Sequence, residues 1–357
     1  MDEEVVTTYG RLVVDVRGEL LSYVSELARL ARGKREACPV SELRRYVGEV
    51  PSEAPDVGSY VAVDGASFAL NLVVGMIGLY ATIAIRFPDL ARLYYRESFG
   101  VIPPVDRIHE VSDPTTFGRM LDLHREIAFL RTCVRVVEEA EPGALILDGP
   151  LVPVPRTGLE EGRAELSELY ANYLSLFGQL HRACRSRGVP LVGFVKRVRS
   201  KYLTGSHAHV EVSMDPGLRE LLASQPPAYD QIVTDPALRV GEYFPDPMLL
   251  LRHRDCPDVV VASAFVKTRS DLPPYRVDLG GALMSASGLD EDGARGMLAL
   301  LCSEVTSEGV PYCILKVDEE VKLSRALMRD LYDDVVHRFF REAGEVGLVM
   351  TIWGESL

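Results

Sequence analysis

The sequence predicts an α/β fold, in which a mixed sheet is flanked by helices and preceded by an N-terminal helical extension. Two short apolar runs, residues 60–63 and 144–147, have the length of buried strands, and each is followed by an Asp-Gly pair. Longer stretches with apolar residues at helical spacing lie between and after these runs. Strands that alternate with helical segments are typical of α/β proteins. No internal repeat is visible that would indicate a solenoid.

The N-terminal part of the chain is predicted to be mainly helical. Residues 8–37 place their apolar side chains at helical spacing, and a second short helix is predicted near residues 41–47. Residues 51–58 are rich in Pro and acidic residues and form a predicted linker. We therefore divide the chain into an N-terminal helical extension with its linker, residues 1–58, and an α/β domain, residues 59–357.

The α/β domain is predicted to contain strands and helices in turn. The apolar run 68–85 fits either two buried strands or a strand and a short helix. The elements predicted after it are a strand and loop (92–105), a helix (115–139), a strand (144–147), a helix (160–187), a strand (190–195), a helix from Pro236, strands 259–267 and 276–279, helices 293–308 and 319–343, and a final strand (347–352).

The composition is that of a globular protein with an acidic balance. Apolar residues make up 47% of the chain and charged residues 25%, with a net charge of −13. This charge argues against a surface coated with phosphate-binding groups, but it allows a local basic path beside an acidic site. The first residues, Met-Asp-Glu-Glu, lack the basic start of a secretory signal, and the six cysteines form no C-x-x-C pair. We expect a cytoplasmic protein with reduced thiols and no membrane span.

Asp64 and Asp148 are the first candidates for chemistry. Each follows an apolar run and precedes a Gly, which lets the backbone leave a strand sharply. If the two strands are neighbours, both carboxylates meet at one edge of the sheet and can share a divalent metal ion. The alternative is that each Asp only begins a turn.

Glu126 is the third candidate carboxylate. It lies near the apolar face of the helix that precedes the second Asp-Gly strand, so it can point toward the sheet. The alternative is a solvated Glu paired with Arg119 or Arg125. Glu138 and Glu139 are rivals near the end of the helix. An Asp-Glu-Asp set suits phosphodiester hydrolysis with two Mg²⁺ or Mn²⁺ ions, which requires no Ser or Cys nucleophile.

A basic segment follows the predicted strand 190–195. Lys196 stands directly after the buried strand, where an ammonium can bind a phosphate and stabilise developing negative charge. Arg197, Arg199 and Lys201 add cations, and Tyr202 adds an aromatic ring. Cations for a backbone and a ring for base stacking favour single-stranded nucleic acid. The alternative is a solvated loop.

Two further groups of residues are weaker candidates. Asp235 and Asp318 are possible fourth acidic ligands, although Asp318 is predicted to start the last long helix, where the helix dipole favours acid anyway. His207 and His209 have the spacing of strand neighbours and are possible metal ligands, but the sequence shows no third ligand nearby. Phosphate-binding loops of ATPases, dinucleotide-binding Gly motifs, H-E-x-x-H and G-x-S-x-G are absent.

Several short motifs along the chain carry a family resemblance through their order and spacing. They are Val61–Ala66, Arg125-Glu126, Leu145–Leu151, Val192–Lys196, Asp235 ahead of Gly241–Phe244, Pro274–Asp278 and Gly309–Tyr312. In these motifs the chain resembles the NurA nuclease family of archaeal and bacterial DNA-end nucleases, from about Tyr60 to Ala326.

The resemblance implies a ribonuclease H-like sheet and a metal-dependent deoxyribonuclease that uses Mn²⁺ or Mg²⁺. The implied activities are 5′-to-3′ exonuclease on DNA ends and endonuclease on single strands, in end resection for double-strand break repair. The implied metal ligands are Asp64, Glu126 and Asp148, with Lys196 at a basic position of the family. The implied partners are DNA ends, a second copy in a ring-shaped homodimer, and a hexameric HerA-type ATPase. The predicted N-terminal helix and the 319–343 helix offer apolar surface for such a dimer.

The chain departs from the family pattern at two positions. Asp318 stands where the family has a His after its Gly-Tyr-Pro motif, so we include Asp318 among the candidate catalytic residues as a substitute ligand. Arg276-Val277-Asp278 stands where the family has Arg-x-Glu. Two other functions remain open from the sequence: a non-catalytic DNA clamp or adaptor subunit of a DNA translocase, and an RNA-directed hydrolase on the same fold.

Overall fold

The computed structural model describes residues 3–322 apart from 37, 73–74, 104–112, 154–163, 206, 208 and 226. Beyond residue 322 it describes only residues 330, 334, 338 and 341. The predicted final strand 347–352 lies outside the described residues, as does most of the predicted 319–343 helix.

The described helices account for both the N-terminal extension and the layers that cover the sheet. They are α1 (Glu3–Glu36), α2 (Val40–Leu43), α3 (Pro114–Glu139), α4 (Ala164–Arg187), α5 (Pro216–Ala223), α6 (Asp230–Thr234), α7 (Glu291–Ser303) and α8 (Tyr312–Val321), with short 3-10 turns at Arg44–Tyr46, Arg96–Ser98 and Asp235–Ala237.

The described strands run through the whole α/β part. They are β1 (Gly48–Glu49), β2 (Tyr60–Leu72), β3 (Gly75–Phe87), β4 (Ala91–Leu93), β5 (Phe99–Ile102), β6 (Leu145–Asp148), β7 (Pro190–Val195), β8 (Val210–Ser213), β9 (Glu242–His253), β10 (Val260–Val266), β11 (Tyr275–Gly281), β12 (Met284–Ser285) and β13 (Gly288–Leu289).

One large mixed sheet organises the molecule. Its strand order is β1-β9-β10-β11-β7-β6-β2-β3-β4, with β5 paired to β3 and β8 paired to β9. The pairs β2–β6 and β6–β7 are parallel, and the other pairs are antiparallel. The predicted α/β class with a mixed sheet flanked by helices is confirmed.

Each face of the sheet packs against its own hydrophobic core, because successive strand side chains point to opposite faces. Val61 and Val63 of β2 contact the core shared with α3 and α4. Ala62 on the same strand contacts the core shared with α7 and α8. These two faces are called the α3 face and the α8 face below.

The first Asp-Gly strand is longer than predicted. The expected strand 60–63 continues through Asp64 and Gly65 to Leu72 and pairs with β3 in a register from Tyr60–Phe87 to Leu72–Gly75. The prediction that Gly65 lets the chain leave the sheet was wrong, because this segment finds a hydrogen-bonded partner in β3. The run 68–85 therefore forms two strands of a hairpin.

Two other elements differ from the prediction. Only the 3-10 turn Asp235–Ala237 forms where a helix from Pro236 was predicted, and the long strand β9 follows it. Pro245 and Pro247 lie within β9 and hid it from the strand pattern, because Pro removes a ladder donor. The last described helix begins at Tyr312 rather than at residue 319.

The N-terminal extension reaches the sheet through a few contacts. β1 pairs with the end of β9, and Arg44 forms an ion pair with Glu242 at 2.5 Å. Along α1, by contrast, the large apolar side chains from Val16 to Leu30 are 47–66% exposed. Among the described residues, no helix has the length and hydropathy needed to cross a bilayer.

Candidate active site

Three carboxylates converge at one edge of the central strands. Asp64, Asp148 and Asp318 each offer an oxygen, and these atoms all lie within 4.8 Å of one another. All three side chains are half-buried. Carboxylate oxygens are the ligands that Mg²⁺ and Mn²⁺ prefer, so the donor chemistry of this cluster fits a divalent metal ion.

The sheet explains why the two strand aspartates meet. In the parallel pair β2–β6, Val63 lies opposite Leu147, so the next residues, Asp64 and Asp148, are neighbours at the carboxyl end of β6. Asp64 comes two residues after Ala62, and this spacing directs it to the α8 face. Asp148 comes two residues after Ile146, which packs in the same core.

Helix α8 supplies the third carboxylate. It packs against β2, β3 and β6, and Asp318 lies in its last turns. The prediction that Asp318 starts a helix was wrong, because α8 already begins at Tyr312, next to Pro311. Asp318 therefore gains nothing from the dipole of a helix N-terminus. Its place in the acidic cluster comes from the packing of α8 on the sheet.

Two lysines lie against the acidic cluster. Lys196, directly after β7, places its Nζ 2.6 Å from an Asp148 oxygen and 3.5 Å from an Asp318 oxygen. Lys322, at the end of α8, places its Nζ 3.0 Å from Asp318. The predicted position of Lys196 beside the carboxylates is therefore present in the structure, and its proximity to Asp148 and Asp318 raises the pKa of the Lys196 ammonium despite burial.

Burial and mutual repulsion disfavour the ionised form of the cluster. The pKa of Asp64 is raised to about 7, mainly by burial and then by the charge of Asp148. The pKa of Asp148 is also raised by burial, although Lys196 opposes this rise. A site that retains a proton near neutral pH in the absence of a cation is one in which a divalent ion removes a large repulsion.

We predict that the metal-free protein loses stability as the pH rises from about 4 to about 7. The folded-state pKa of Asp64 lies above its unfolded value, so folding is favoured where this group is protonated and the advantage disappears as the pH passes the folded pKa. Thermal melts at a series of pH values, with EDTA and with Mn²⁺, measure this. We expect Mn²⁺ to raise the melting temperature more at pH 8 than at pH 5, and an equal rise at both would contradict the prediction.

Glu126 lies outside the acidic cluster. It belongs to α3, which covers the opposite face of the sheet from α8, and its carboxylate forms an ion pair with Arg125 at 2.5 Å. It nevertheless lines the same cavity as Asp64 and Asp148. The structure thus shows the pairing with Arg125 that was the alternative interpretation, and the role of Glu126 as a metal ligand stays a prediction.

The basic segment after β7 divides into exposed and engaged side chains. Arg197 and Arg199 are exposed. The Nζ of Lys201 lies 5.3 Å from the ring centre of Tyr229, and the guanidinium of Arg276 lies 5.1 Å from that of Tyr202. Because the Tyr202 ring already contacts Arg276, it offers less free surface for a base than predicted. The nucleic-acid role of Arg197, Arg199, Lys201 and Tyr202 stays a prediction.

The weaker candidates lie elsewhere. Asp235 forms an ion pair with Lys267 at 2.5 Å and a second one with Arg35 at 3.4 Å. His209 lies 3.1 Å from Asp255, and no group of metal-ligating side chains includes His207 or His209 among the residues that the structure describes. Asp235 and the two histidines are therefore not brought to the acidic cluster.

Sequence reasoning assigned no role to a buried network that holds the turn after Asp148. The Asp278 carboxylate is fully buried, forms an ion pair with Arg276 at 3.0 Å, and accepts the Leu151 N–H at 3.1 Å and the Ser263 hydroxyl at 2.8 Å. His181 lies 3.3 Å from the Leu151 carbonyl, and burial lowers its pKa to about 4, so it is neutral.

The clamp on Leu151 bears on the active site because Leu151 is three residues from Asp148. Between them, the Gly149 carbonyl packs so closely over Gly193 of β7 that a Cβ at residue 193 would lie 2.6 Å from it. The signal in the sequence was the Arg-x-Asp spacing on an apolar strand, which places two opposite charges on one face. Those charges must pair where they are buried.

Comparison with known proteins identifies the family. A family model, the NurA domain, matches residues 58–323, three quarters of the chain. The chain belongs to the NurA family. This confirms the family named from the sequence motifs, and with it the prediction of a metal-dependent nuclease at the level of the family.

Solved structures agree with this NurA assignment. The NurA nuclease from Sulfolobus solfataricus is 14% identical over 93% of this chain and 98% of its own, with a TM-score of 0.62. A structure of NurA with manganese is 12% identical over 90% of this chain and 98% of its own, with a TM-score of 0.52. At such identities the likeness shows the shared fold. No curated protein matches the chain.

Proposed function

We propose that this NurA-family protein is a metal-dependent DNA nuclease whose active site is the cluster of Asp64, Asp148 and Asp318 with Lys196. The observation that carries the proposal is the convergence of three carboxylates within 4.8 Å at the carboxyl end of β6, with an ammonium 2.6 Å from one of them. The proposed cofactor is Mn²⁺ or Mg²⁺, and the manganese in a related NurA structure supports it.

The residues divide the chemistry among them. Asp64 and Asp148, fixed by adjacent strands, hold two ligand oxygens at a constant separation, and Asp318 closes the site from α8 in place of the family's His. Ions bound there activate a water and stabilise the leaving oxygen. Lys196 is placed to contact a phosphate oxygen and to balance the negative charge that develops during cleavage. Exposed Arg197 and Arg199 are placed beside the site to contact the strand backbone.

The finer parts of the proposal come from the family. We propose 5′-to-3′ exonuclease activity on DNA ends and endonuclease activity on single strands, in the cytoplasm, in end resection for double-strand break repair. A hexameric HerA-type ATPase would supply the ATP hydrolysis, for which the chain has no motif. The family match begins at residue 58, which supports the division into residues 1–58 and 59–357.

The proposed homodimer has support in α1. Its exposed side chains Val16, Leu20, Tyr23, Leu27 and Leu30 follow one another at spacings of four and three residues, which is the heptad pattern of a coiled coil. Exposed apolar surface of this kind is typical of an interface.

We predict that the purified chain has the mass of two chains and that Leu27→Glu shifts it to one, because a charge at the seam opposes helix pairing. Light scattering at micromolar concentration measures this. Ser25→Glu, an exposed change on the opposite side of α1, is the control and should leave the dimer intact. A wild-type monomer would contradict the proposed dimer.

We expect Mn²⁺-dependent cleavage of end-labelled single-stranded DNA, abolished by EDTA. Asp148→Asn should lower the rate by about a hundredfold, because a metal ligand contributes several kcal/mol to transition-state stabilisation. Asp271→Asn, the same change at an exposed aspartate, is the control. Cleavage that survives Asp148→Asn would contradict the assignment of the site, and cleavage of RNA in preference to DNA would favour the RNA-directed hydrolase.

A non-catalytic DNA clamp or adaptor subunit is the second candidate function. The ion pairs of Lys196 and Lys322 with Asp148 and Asp318 favour it, since two ammonium groups already neutralise part of the acidic cluster. This candidate predicts that the wild type binds DNA without any Mn²⁺-dependent cleavage. The same assay, run with a DNA-binding measurement, separates the two functions.

A further inference from the structure

A cavity of about 600 Å³ opens beside the acidic cluster. Asp64 and Asp148 lie at its inner end with Gly149 and Pro150, and Tyr173 and Phe177 of α4 line one side. Its volume falls within the range of pockets that bind small organic ligands. The cavity therefore has room for a group much larger than a metal ion.

The α3 wall of this cavity combines charge with an aromatic ring. Its lining side chains are half-buried: Arg119, Asp122, Arg125, Glu126 and Phe129. Most of them recur every three or four residues and so share one helix face. Gly65 of β2 gives this wall its room, since a Cβ there would lie 3.5 Å from the Phe129 ring and 3.6 Å from Arg125 Cγ.

Four carboxylates and two guanidinium groups line the cavity. The carboxylates are Asp64, Asp122, Glu126 and Asp148, and the guanidinium groups are those of Arg119 and Arg125. This balance repels an anion that enters alone. A divalent cation at the acidic cluster reverses the balance, so an anion and a cation should bind here cooperatively.

The pair Arg125–Glu126 is the adjustable part of this wall. Arg125 Nη2 lies 2.5 Å from Glu126 Oε1, so the guanidinium engages the carboxylate that the family resemblance assigns to the metal. A phosphate is an equally good partner for a guanidinium, which binds both groups through the same fork of donors. Exchange of partners would preserve the hydrogen bonds of Arg125 and release Glu126.

We propose that this cavity binds one unpaired nucleotide of the substrate, with its phosphate at Arg119 and Arg125 and its base against Phe129. Phosphate binding transfers Arg125 from Glu126 to the nucleotide and leaves Glu126 free to become a further metal ligand. The choice of a nucleotide as the ligand rests on the proposed nuclease function. Stacking on an aromatic ring accepts any unpaired base.

Calorimetric binding of deoxyguanosine 5′-monophosphate to the full chain, in the presence of Mn²⁺, tests the nucleotide site. Arg125→Gln should weaken this binding by about tenfold, because a charge-assisted hydrogen bond is lost. Phe129→Ala should weaken binding of the nucleotide but leave inorganic phosphate unchanged. Arg269→Gln, at an exposed position, is the control. Unchanged nucleotide affinity in both cavity variants would overturn the proposal.

Mn²⁺ titration without nucleotide tests the exchange of partners. Arg125→Gln should bind Mn²⁺ several-fold more tightly than wild type, because Glu126 is already released. Arg119→Gln removes the same charge from the same wall and should have a smaller effect, and the double variant Arg125→Gln/Glu126→Gln should lose the gain. Equal effects of the two single arginine variants would overturn the exchange. These binding results hold whether or not DNA is cleaved, so a failure of the nuclease proposal remains distinguishable.

Discussion

Asp64→Asn is expected to abolish metal-dependent cleavage while making the metal-free protein more stable at pH 8. Asp64 is the carboxylate in the middle of the acidic cluster, in contact with the charges of Asp148, Lys196 and Asp318. Its loss removes a ligand that no neighbouring side chain replaces in the same strand position. We expect cleavage of single-stranded DNA to fall by about a thousandfold or more, since a bound ion contributes several kcal/mol to the reaction.

The gain in stability follows from the raised pKa of Asp64. At pH 8 the folded protein must ionise a carboxyl group whose pKa is about 7 because of burial and the neighbouring Asp148. Asparagine has similar size and carries no charge, so it removes this cost, on the order of 2 kcal/mol. At pH 4 the wild-type group is already protonated in the folded state, and the gain should vanish.

Urea denaturation in EDTA at both pH values measures the gain, and Asp271→Asn serves as the matched control. A loss of cleavage together with a loss of stability at pH 8 would show that Asp64 supports the fold rather than a metal site. Cleavage at the wild-type rate would exclude Asp64 from the active site.

Asp278→Ala is expected to cost about 3–5 kcal/mol of the free energy of unfolding. The change leaves the Arg276 guanidinium buried without its charge partner, which is among the most costly single substitutions in a core. It also removes the acceptor for the Leu151 N–H and so loosens the turn that follows Asp148. Urea denaturation with Mn²⁺ absent isolates the effect on the fold.

The chain provides its own control for this experiment. Arg269-Ser270-Asp271 has the same Arg-x-Asp spacing, but both charged side chains are exposed. Asp271→Ala should cost less than about 1 kcal/mol, as is typical of surface ion pairs. The double variant Arg276→Met/Asp278→Ala should recover part of the loss, because no buried charge remains. Equal costs for Asp278→Ala and Asp271→Ala would contradict the role assigned to the buried pair.

The convergence of Asp64 and Asp148 was predictable because it depends on local pattern. Each follows an apolar run with the length of a buried strand, and residues that end adjacent parallel strands meet at one edge of the sheet. The position of Lys196 follows from the same rule, since β7 pairs with β6 on the other side. These placements require only the strand pattern and the order of three strands.

The rest of the site depends on packing that no local pattern records. Asp318 reaches the cluster because α8 begins at Tyr312 and lies on the sheet, whereas its sequence neighbours only indicated acid near a helix end. Glu126 lies on an apolar helix face as predicted, but that helix covers the α3 face, while strand alternation directs Asp64 and Asp148 to the α8 face. The side of the sheet on which a helix packs is a tertiary property.

The account depends most on the claim that Asp64, Asp148 and Asp318 hold one divalent metal ion. An anomalous difference map from crystals of the full chain grown with MnCl₂, recorded at the manganese edge, tests this directly. We predict a peak within coordinating distance of an oxygen of each of the three aspartates, with Lys196 displaced from Asp148. A strong manganese peak elsewhere, or none at this cluster while Lys196 keeps its contact with Asp148, would contradict the account.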